Sequence, residues 1–251
     1  MLEKREQDGV VVVEMAHGKV NALDLELLHA LIAAFRETPA GVPIVLTGRG
    51  RAFCAGVDLQ RLISEDAAYA ERFIPALSDT FLTVFAHPAP VVAAINGHAL
   101  AGGCVIAAAC DVRLATAGPA QLGVTELVVG VAFPTAAMEI LRHALGDAHA
   151  ARLVYTGQRV SPDEAHRLGL VTDLVDADTP LLQAATTQAA ELGRLGQPAY
   201  RLAKTQLRRD ALDRIARHRT TDDVEVVDIW AAPETMTSIQ GYLSDLQARR
   251  A

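Results

Sequence analysis

The sequence predicts an α/β fold: a strand-and-helix core over residues 1–195 and a helical region over 196–251. Three observations carry this expectation. Short apolar runs, Val10–Met15, Ile44–Thr47 and Val91–Ile95, are too brief for helices and alternate with longer segments of helical spacing. The 251 residues suffice for one sizeable α/β domain with a helical appendage. From Thr179 onward the pattern is helical to the end, and charge density rises.

The elements follow in order. Val10–Met15 reads as a buried strand between Gly9 and a His17-Gly18 turn. Asp24–Phe35 reads as a helix, with Leu25, Leu28, Leu31, Ile32 and Phe35 at helical spacing. Ile44–Thr47 is a strand ending at Gly48, and Arg49–Gln60 is a loop of small residues. Asp66–Ala86 is a helix that His87-Pro88 ends. Val91–Ile95 is a strand, Asn96-Gly97 a turn, and Ala101-Gly102-Gly103 opens an apolar helix reaching Cys110. Val112–Ala115 is a strand; Pro134–Leu145 and Ala148–Tyr155 are two helices. Ser161 caps a helix with Pro162 at its first position, and Gly169 stops it before strand Leu170–Val175. In the tail, Arg208, Arg209, Arg214 and Arg217 read as a solvated helix face.

Composition excludes several classes of partner. The net charge of −7 opposes nucleic acid or an anionic membrane as the main partner, since both reward a basic field. Hydrophobic residues make up 51% and aromatic residues only 4%, so the core is built from Ala, Val and Leu. Cys54, Cys104 and Cys110 lack metal-type spacing and read as reduced, buried and inert, as in a cytoplasmic protein. The N-terminus has no apolar signal core, and no run is long enough to cross a membrane. No metal site is expected.

Two segments share one design: Ala52-Phe53-Cys54-Ala55-Gly56-Val57-Asp58-Leu59 and Asn96-Gly97-His98-Ala99-Leu100-Ala101-Gly102-Gly103-Cys104. Each follows a short apolar strand and is lined by Ala and Gly, which let a ligand approach the backbone closely. In the second, a helix begins at the glycine pair, and its free N–H groups and positive dipole end suit an anionic oxygen. Alone, such a turn is more often tight packing than an anion site.

Together with Asn21-Ala22-Leu23, Cys110-Asp111-Val112-Arg113-Leu114-Ala115, Leu153-Val154-Tyr155-Thr156-Gly157, Ser161-Pro162-Asp163-Glu164-Ala165 and Leu168-Gly169-Leu170-Val171, these loops resemble the enoyl-CoA hydratase/isomerase (crotonase) family, in that family's order. The resemblance implies a crotonase-like spiral of ββα units with a C-terminal α-helical region, assembled as a homotrimer or hexamer, the last region serving trimerisation and covering the CoA pocket. It implies an acyl-CoA thioester as substrate and no cofactor beyond the coenzyme A that the substrate carries. It places the two thioester-oxygen donors on the backbone N–H groups of Val57 and Gly102. It puts Lys19, Ala22, Ala55, Asp58, Leu59 and Gly103 against substrate and CoA, and residues 60–69 over the acyl pocket. By itself, Asp58 reads as a loop-former that accepts from backbone N–H groups, and Lys19 as an exposed lysine near a turn. The tail arginines acquire an alternative role, holding the 3′-phosphate of CoA from a neighbouring subunit.

The acid/base residues discriminate between reactions. Hydratases of the family use two glutamates. One position falls here on Val105, which cannot transfer protons. The other falls on Glu126, in Leu122-Gly123-Val124-Thr125-Glu126, where the family's Pro has become Thr. Outside that motif, Glu126 reads as a solvated surface residue. A single carboxylate suits a double-bond isomerase, which removes a proton at one carbon and returns it at another. A hydratase with an atypical acid/base set and a non-catalytic acyl-CoA binding protein are the alternatives. Val131-Ala132-Phe133-Pro134, after Gly130, lacks the carboxylate of the family's dehalogenase and dienoyl isomerase branches.

Overall fold

The computed structural model describes residues 1–65 and 67–248. Strand β1 (Leu2–Gln7) turns through Asp8 and Gly9, at φ 54° and 74°, to pair antiparallel with β2 (Val10–Met15). Positive φ at both central residues is the two-residue hairpin geometry that Asp-Gly favours. Helix α1 (Leu25–Glu37) follows, its first turn capped by Asp24, which accepts from the Leu27 N–H.

Three strand–strand–helix turns come next. The first is β3 (Ile44–Gly48), β4 (Ala52–Cys54) and helices α2 (Leu59–Ser64) and α3 (Ala67–Phe85). The second is β5 (Val91–Ile95), β6 (His98–Leu100) and α4 (Gly102–Ala109). The third is β7 (Val112–Thr116), β8 (Leu122–Gly123), α5 (Glu126–Val129) and α6 (Thr135–Thr156). Helix α7 (Pro162–Arg167) and β9 (Asp173–Val175) close the spiral, and α8 (Leu181–Gly193), α9 (Gln197–Ala231) and α10 (Pro233–Ala248) complete the chain.

In each turn the first strand joins a sheet of order β1-β2-β3-β5-β7-β9 and the second joins a smaller sheet, β4-β6-β8. Among these named strands, every pairing but the β1–β2 hairpin is parallel. This is the ββα spiral implied by the resemblance. The centre of the large sheet is covered on both faces, which is why β2, β3 and β5 are near-continuous apolar runs. On one face Val10, Val12, Val45, Val92 and Leu114 meet Ala185 and Ala189 of α8. The other face looks onto the main core, where α3, α4 and α6 lie together.

Several expectations are corrected. Strand β1 went unread because its residues beyond Leu2 are exposed and mostly charged. Residues 49–60 contain β4 and the start of α2, and the segment after Gly97 contains β6; three-residue strands are too short to show a period. The expected strand 170–175 shrinks to β9, because the N–H groups of Leu170 and Val171 both donate to the Ala165 carbonyl and terminate α7. The two helices of 134–155 run on through a break at Gly146, at φ 73°. The tail divides at residues 194–196 and at Ala232, before Pro233. The expected first residue of α3, Asp66, and the end of the tail at 249–251 lie outside the described residues.

The tail arginines are not one solvated face. Arg209 and Arg217 are exposed. Arg208 is buried, donates to the carbonyls of Phe85 and Ala109, pairs with Asp111 at 2.8 Å and stacks over the Phe85 ring. Lys204, one turn earlier, is also buried and reaches Asp111 at 2.7 Å and the Ala89 carbonyl at 3.0 Å. Arg214 pairs with the buried Glu139. The periodicity of α9 hides this, since a charged side chain counts as exposed unless its partner, here 75 and more positions away, is known.

Asp111 therefore joins α9 to the core. Replacing it with Ala leaves two buried cations without their carboxylate. Asp111→Ala is expected to cost about 3–5 kcal/mol of folding stability, read as a lowered denaturant midpoint.

Candidate active site

The first loop is held by the chain that precedes α1. Asn21, at φ 53°, spreads its side-chain amide over the carbonyls of Ala52 and Phe53 at 3.0 and 3.2 Å, and its Oδ1 accepts from the His17 N–H. The Leu23 N–H donates to the Gly56 carbonyl at 2.8 Å, and the Asp58 N–H donates to the Leu23 carbonyl at 2.9 Å. This is a parallel bridge between Leu23 and Val57. Its bonds come from the residues flanking Val57, so the Val57 N–H points away from Leu23. Asp58 then caps α2 by accepting from the Arg61 N–H at 3.0 Å.

The second loop is pinned in the same manner. Asn96 accepts from the Gly48 N–H at 2.9 Å and donates to the Gly50 carbonyl at 3.0 Å. The Ala101 N–H donates to the Gly123 carbonyl at 2.8 Å. Ala101 itself sits at φ 49° and ψ −129°, a conformation that normally belongs to glycine. That bend starts α4 at Gly102, whose N–H, the first of the helix, has no partner within it.

Glycines bring the loops together. A Cβ on Gly56 would lie 2.7 Å from the Ala101 Cβ and 3.6 Å from the Gly102 nitrogen. A Cβ on Gly103 would run into the Cys54 carbonyl and lie 2.7 Å from the Cys54 Cβ. Val57 thus directly follows a residue in close approach to the Gly102 nitrogen, which is the pairing an oxyanion site needs.

Glu126 opens α5, beyond β8, and is buried. Its Oε2 has no hydrogen-bond partner among the described residues. Burial pushes its carboxyl from 4.5 up to about 8, and its own backbone N–H acts weakly in the opposite direction. Its carbonyl accepts from the N–H groups of Gly130 and Val131 at 2.9 and 3.0 Å, which fixes the short helix. Cys104 is close enough for Glu126 to disfavour its thiolate, so Glu126 and the start of α4 share one buried region. Burial itself is the larger cause, and it pushes that thiol up to about 12. Val105, where a second carboxylate would stand, is wholly buried.

The remaining candidates spread along the same edge. Ala55 donates its N–H to the Val20 carbonyl at 3.0 Å. Ala22 and Leu59 are half-buried, and Lys19 is exposed. Asn21 and Asn96 organise the site although sequence reading named them only as motif and turn residues. Their amides serve carbonyls 28 to 46 positions away, a separation that local pattern does not reveal.

Two glycine-lined loops that meet at the start of α4, with a buried carboxyl in the same region, suit a class of protein that works on an acyl group through its carbonyl oxygen. The chain belongs to the enoyl-CoA hydratase/isomerase family, whose model matches residues 5–249. That family acts on acyl-CoA thioesters. The chain is 32% identical over 212 residues to a probable enoyl-CoA hydratase of Mycobacterium tuberculosis, covering 83% of this chain and 80% of that protein. It is 27% identical over 248 residues to the mitochondrial enoyl-CoA delta isomerase 1 of Homo sapiens, covering 96% and 82%. The crystal structure of human mitochondrial delta3-delta2-enoyl-CoA isomerase superposes with a TM-score of 0.92 at 25% identity, covering 100% of this chain and 99% of that one.

The close approach of the loops makes a sharp test. Gly56→Ala combines a φ of 89° with a clash against Ala101. It is expected to displace one oxyanion donor and lower kcat on a thioester substrate by about 10²–10³-fold, measured by steady-state turnover.

Proposed function

We propose that the protein is a single-base enoyl-CoA double-bond isomerase, with Glu126 as the base. One observation carries the reading: Glu126 is a buried carboxyl with an unpartnered oxygen, and the neighbouring candidate position holds Val105. In the reaction, the thioester oxygen of a 3-enoyl-CoA accepts from the Val57 and Gly102 N–H groups. The Glu126 carboxylate takes a proton from C2, and the electron pair delocalises into a dienolate whose oxygen those donors stabilise. The resulting carboxylic acid returns the proton at C4, giving the 2-enoyl thioester. No water enters and no second acid is required. The raised pKa suits a group that must both accept and donate near neutral pH.

Hydration of a 2-enoyl-CoA is the second reading, and the hydratase names among relatives at 32% identity favour it. Hydration would need Glu126 alone to position the water and deliver the proton.

Glu126→Gln is expected to lower isomerisation of a 3-enoyl-CoA by about 10²–10⁴-fold while acyl-CoA binding persists. Unimpaired turnover would remove Glu126 from the mechanism, and faster hydration than isomerisation by the wild type would favour the second reading. The pH dependence has a defined sign. The base form of Glu126 grows as pH rises through about 8, so kcat/KM should climb up to that pH. Stability moves the other way. Between pH 4.5 and about 8 the folded chain retains a proton that the unfolded chain has released, so stability falls as pH rises. Glu126→Gln should flatten that part of the denaturant-midpoint profile.

A further inference from the structure

Beside Gly102 begins a set of large buried side chains with a definite anchor. On α3, Tyr69, Phe73, Leu77 and Phe81 recur at every fourth position and are each no more than 2% exposed. The deep end of this stripe faces the oxyanion site, because a Cβ on Gly102 would lie 3.6 Å from Phe81 and 3.7 Å from Leu77. Towards its other end, the Phe73 ring meets Trp230 of α9 at 6.2 Å between centroids. Trp230 is 1% exposed, and its Nε1 donates to the Ala132 carbonyl at 2.8 Å. Ala132 follows Val131, whose N–H is bonded to the carbonyl of Glu126. The indole is thus braced on the stripe that looks at one oxyanion donor and tied to the segment that leaves the base.

We infer that Trp230 is a specificity-determining residue that closes the acyl site and restricts it to short acyl chains. The inference rests on the acyl-CoA reading above but not on the choice between isomerase and hydratase. On this inference, the chain of a thioester held at Val57 and Gly102 runs along the α3 stripe, from Leu77 beside Gly102 towards Phe73 and Trp230. A short chain ends before the indole. A long chain must displace it, which separates a buried N–H from its carbonyl and leaves both unpaired. A phenylalanine or leucine there could move aside without that loss.

Saturated thioesters test this without turnover. Calorimetric titration of the wild type with butanoyl-CoA and decanoyl-CoA is expected to show butanoyl-CoA bound about tenfold or more tightly. In Trp230→Ala, checked for folding by circular dichroism, decanoyl-CoA should gain and the ratio should close or invert. Should that variant not fold, Trp230→Phe keeps an aromatic ring but drops the donor, and it should narrow the ratio. Equal or tighter binding of decanoyl-CoA by the wild type, or an unchanged ratio in a folded variant, overturns the inference alone. Failure of both thioesters to bind overturns it together with the acyl-CoA reading.

Discussion

The organising constraint is a backbone approach that side chains would forbid. Gly103 lies against the Cys54 carbonyl, and Gly56 lies against Ala101 and the Gly102 nitrogen. These contacts bring the ends of two separate ββα turns together, and the small sheet β4-β6-β8 exists to hold them in register. Around them the structure uses residues that do not intrude: α4 is wholly buried and consists of Gly, Ala, Cys, Val and Ile. The low aromatic content follows from this geometry. Tyr69, Phe73, Phe81 and Phe85 gather on α3, all of them buried.

Helix α4 also organises the charges. In the proposed reaction its N-terminal N–H groups meet the thioester oxygen, where negative charge develops. Its C-terminal end meets cations: Arg208 donates to the Ala109 carbonyl and Arg113 to the Cys110 carbonyl at 2.9 Å. Both ends of one short buried helix are therefore complemented in the sense its dipole prefers. Glu126 is the exception that chemistry requires. Its Oε2 has no hydrogen-bond partner among the described residues, and burial is the larger influence on its protonation.

The fold class and the close approach of the two glycine-lined loops were legible because they depend on local chemistry. Apolar runs of strand length, glycine at close approaches, and capping by Ser161 are statements about adjacent residues. Strand β1 was within reach, since Asp8-Gly9 is a hairpin signal, but its charged face masked it. The pairing of Asp111 with Lys204 and Arg208 was not legible, because it joins the second turn of the spiral to the tail. Trp230 escaped for the same reason: in the sequence it is one aromatic near the end of a long helix of weak periodicity. Its contacts with Phe73 and Ala132 span more than 90 positions.

The position of Asp111 bears on the order in which the chain is made. The carboxylate lies at the start of β7, and its cations arrive only with residues 204 and 208 of α9. During synthesis the first two turns of the spiral emerge well before those residues, with a charge at their rim that meets the Val91 N–H and water but no cation of α9. Domains generally fold as units as they leave the ribosome. Here the unit cannot close until the last quarter of the chain is out. The acyl site would be completed at the same late stage, since Trp230 belongs to that helix. A ribosome stalled before α9 would thus carry both oxyanion loops and the glutamate but no finished enzyme.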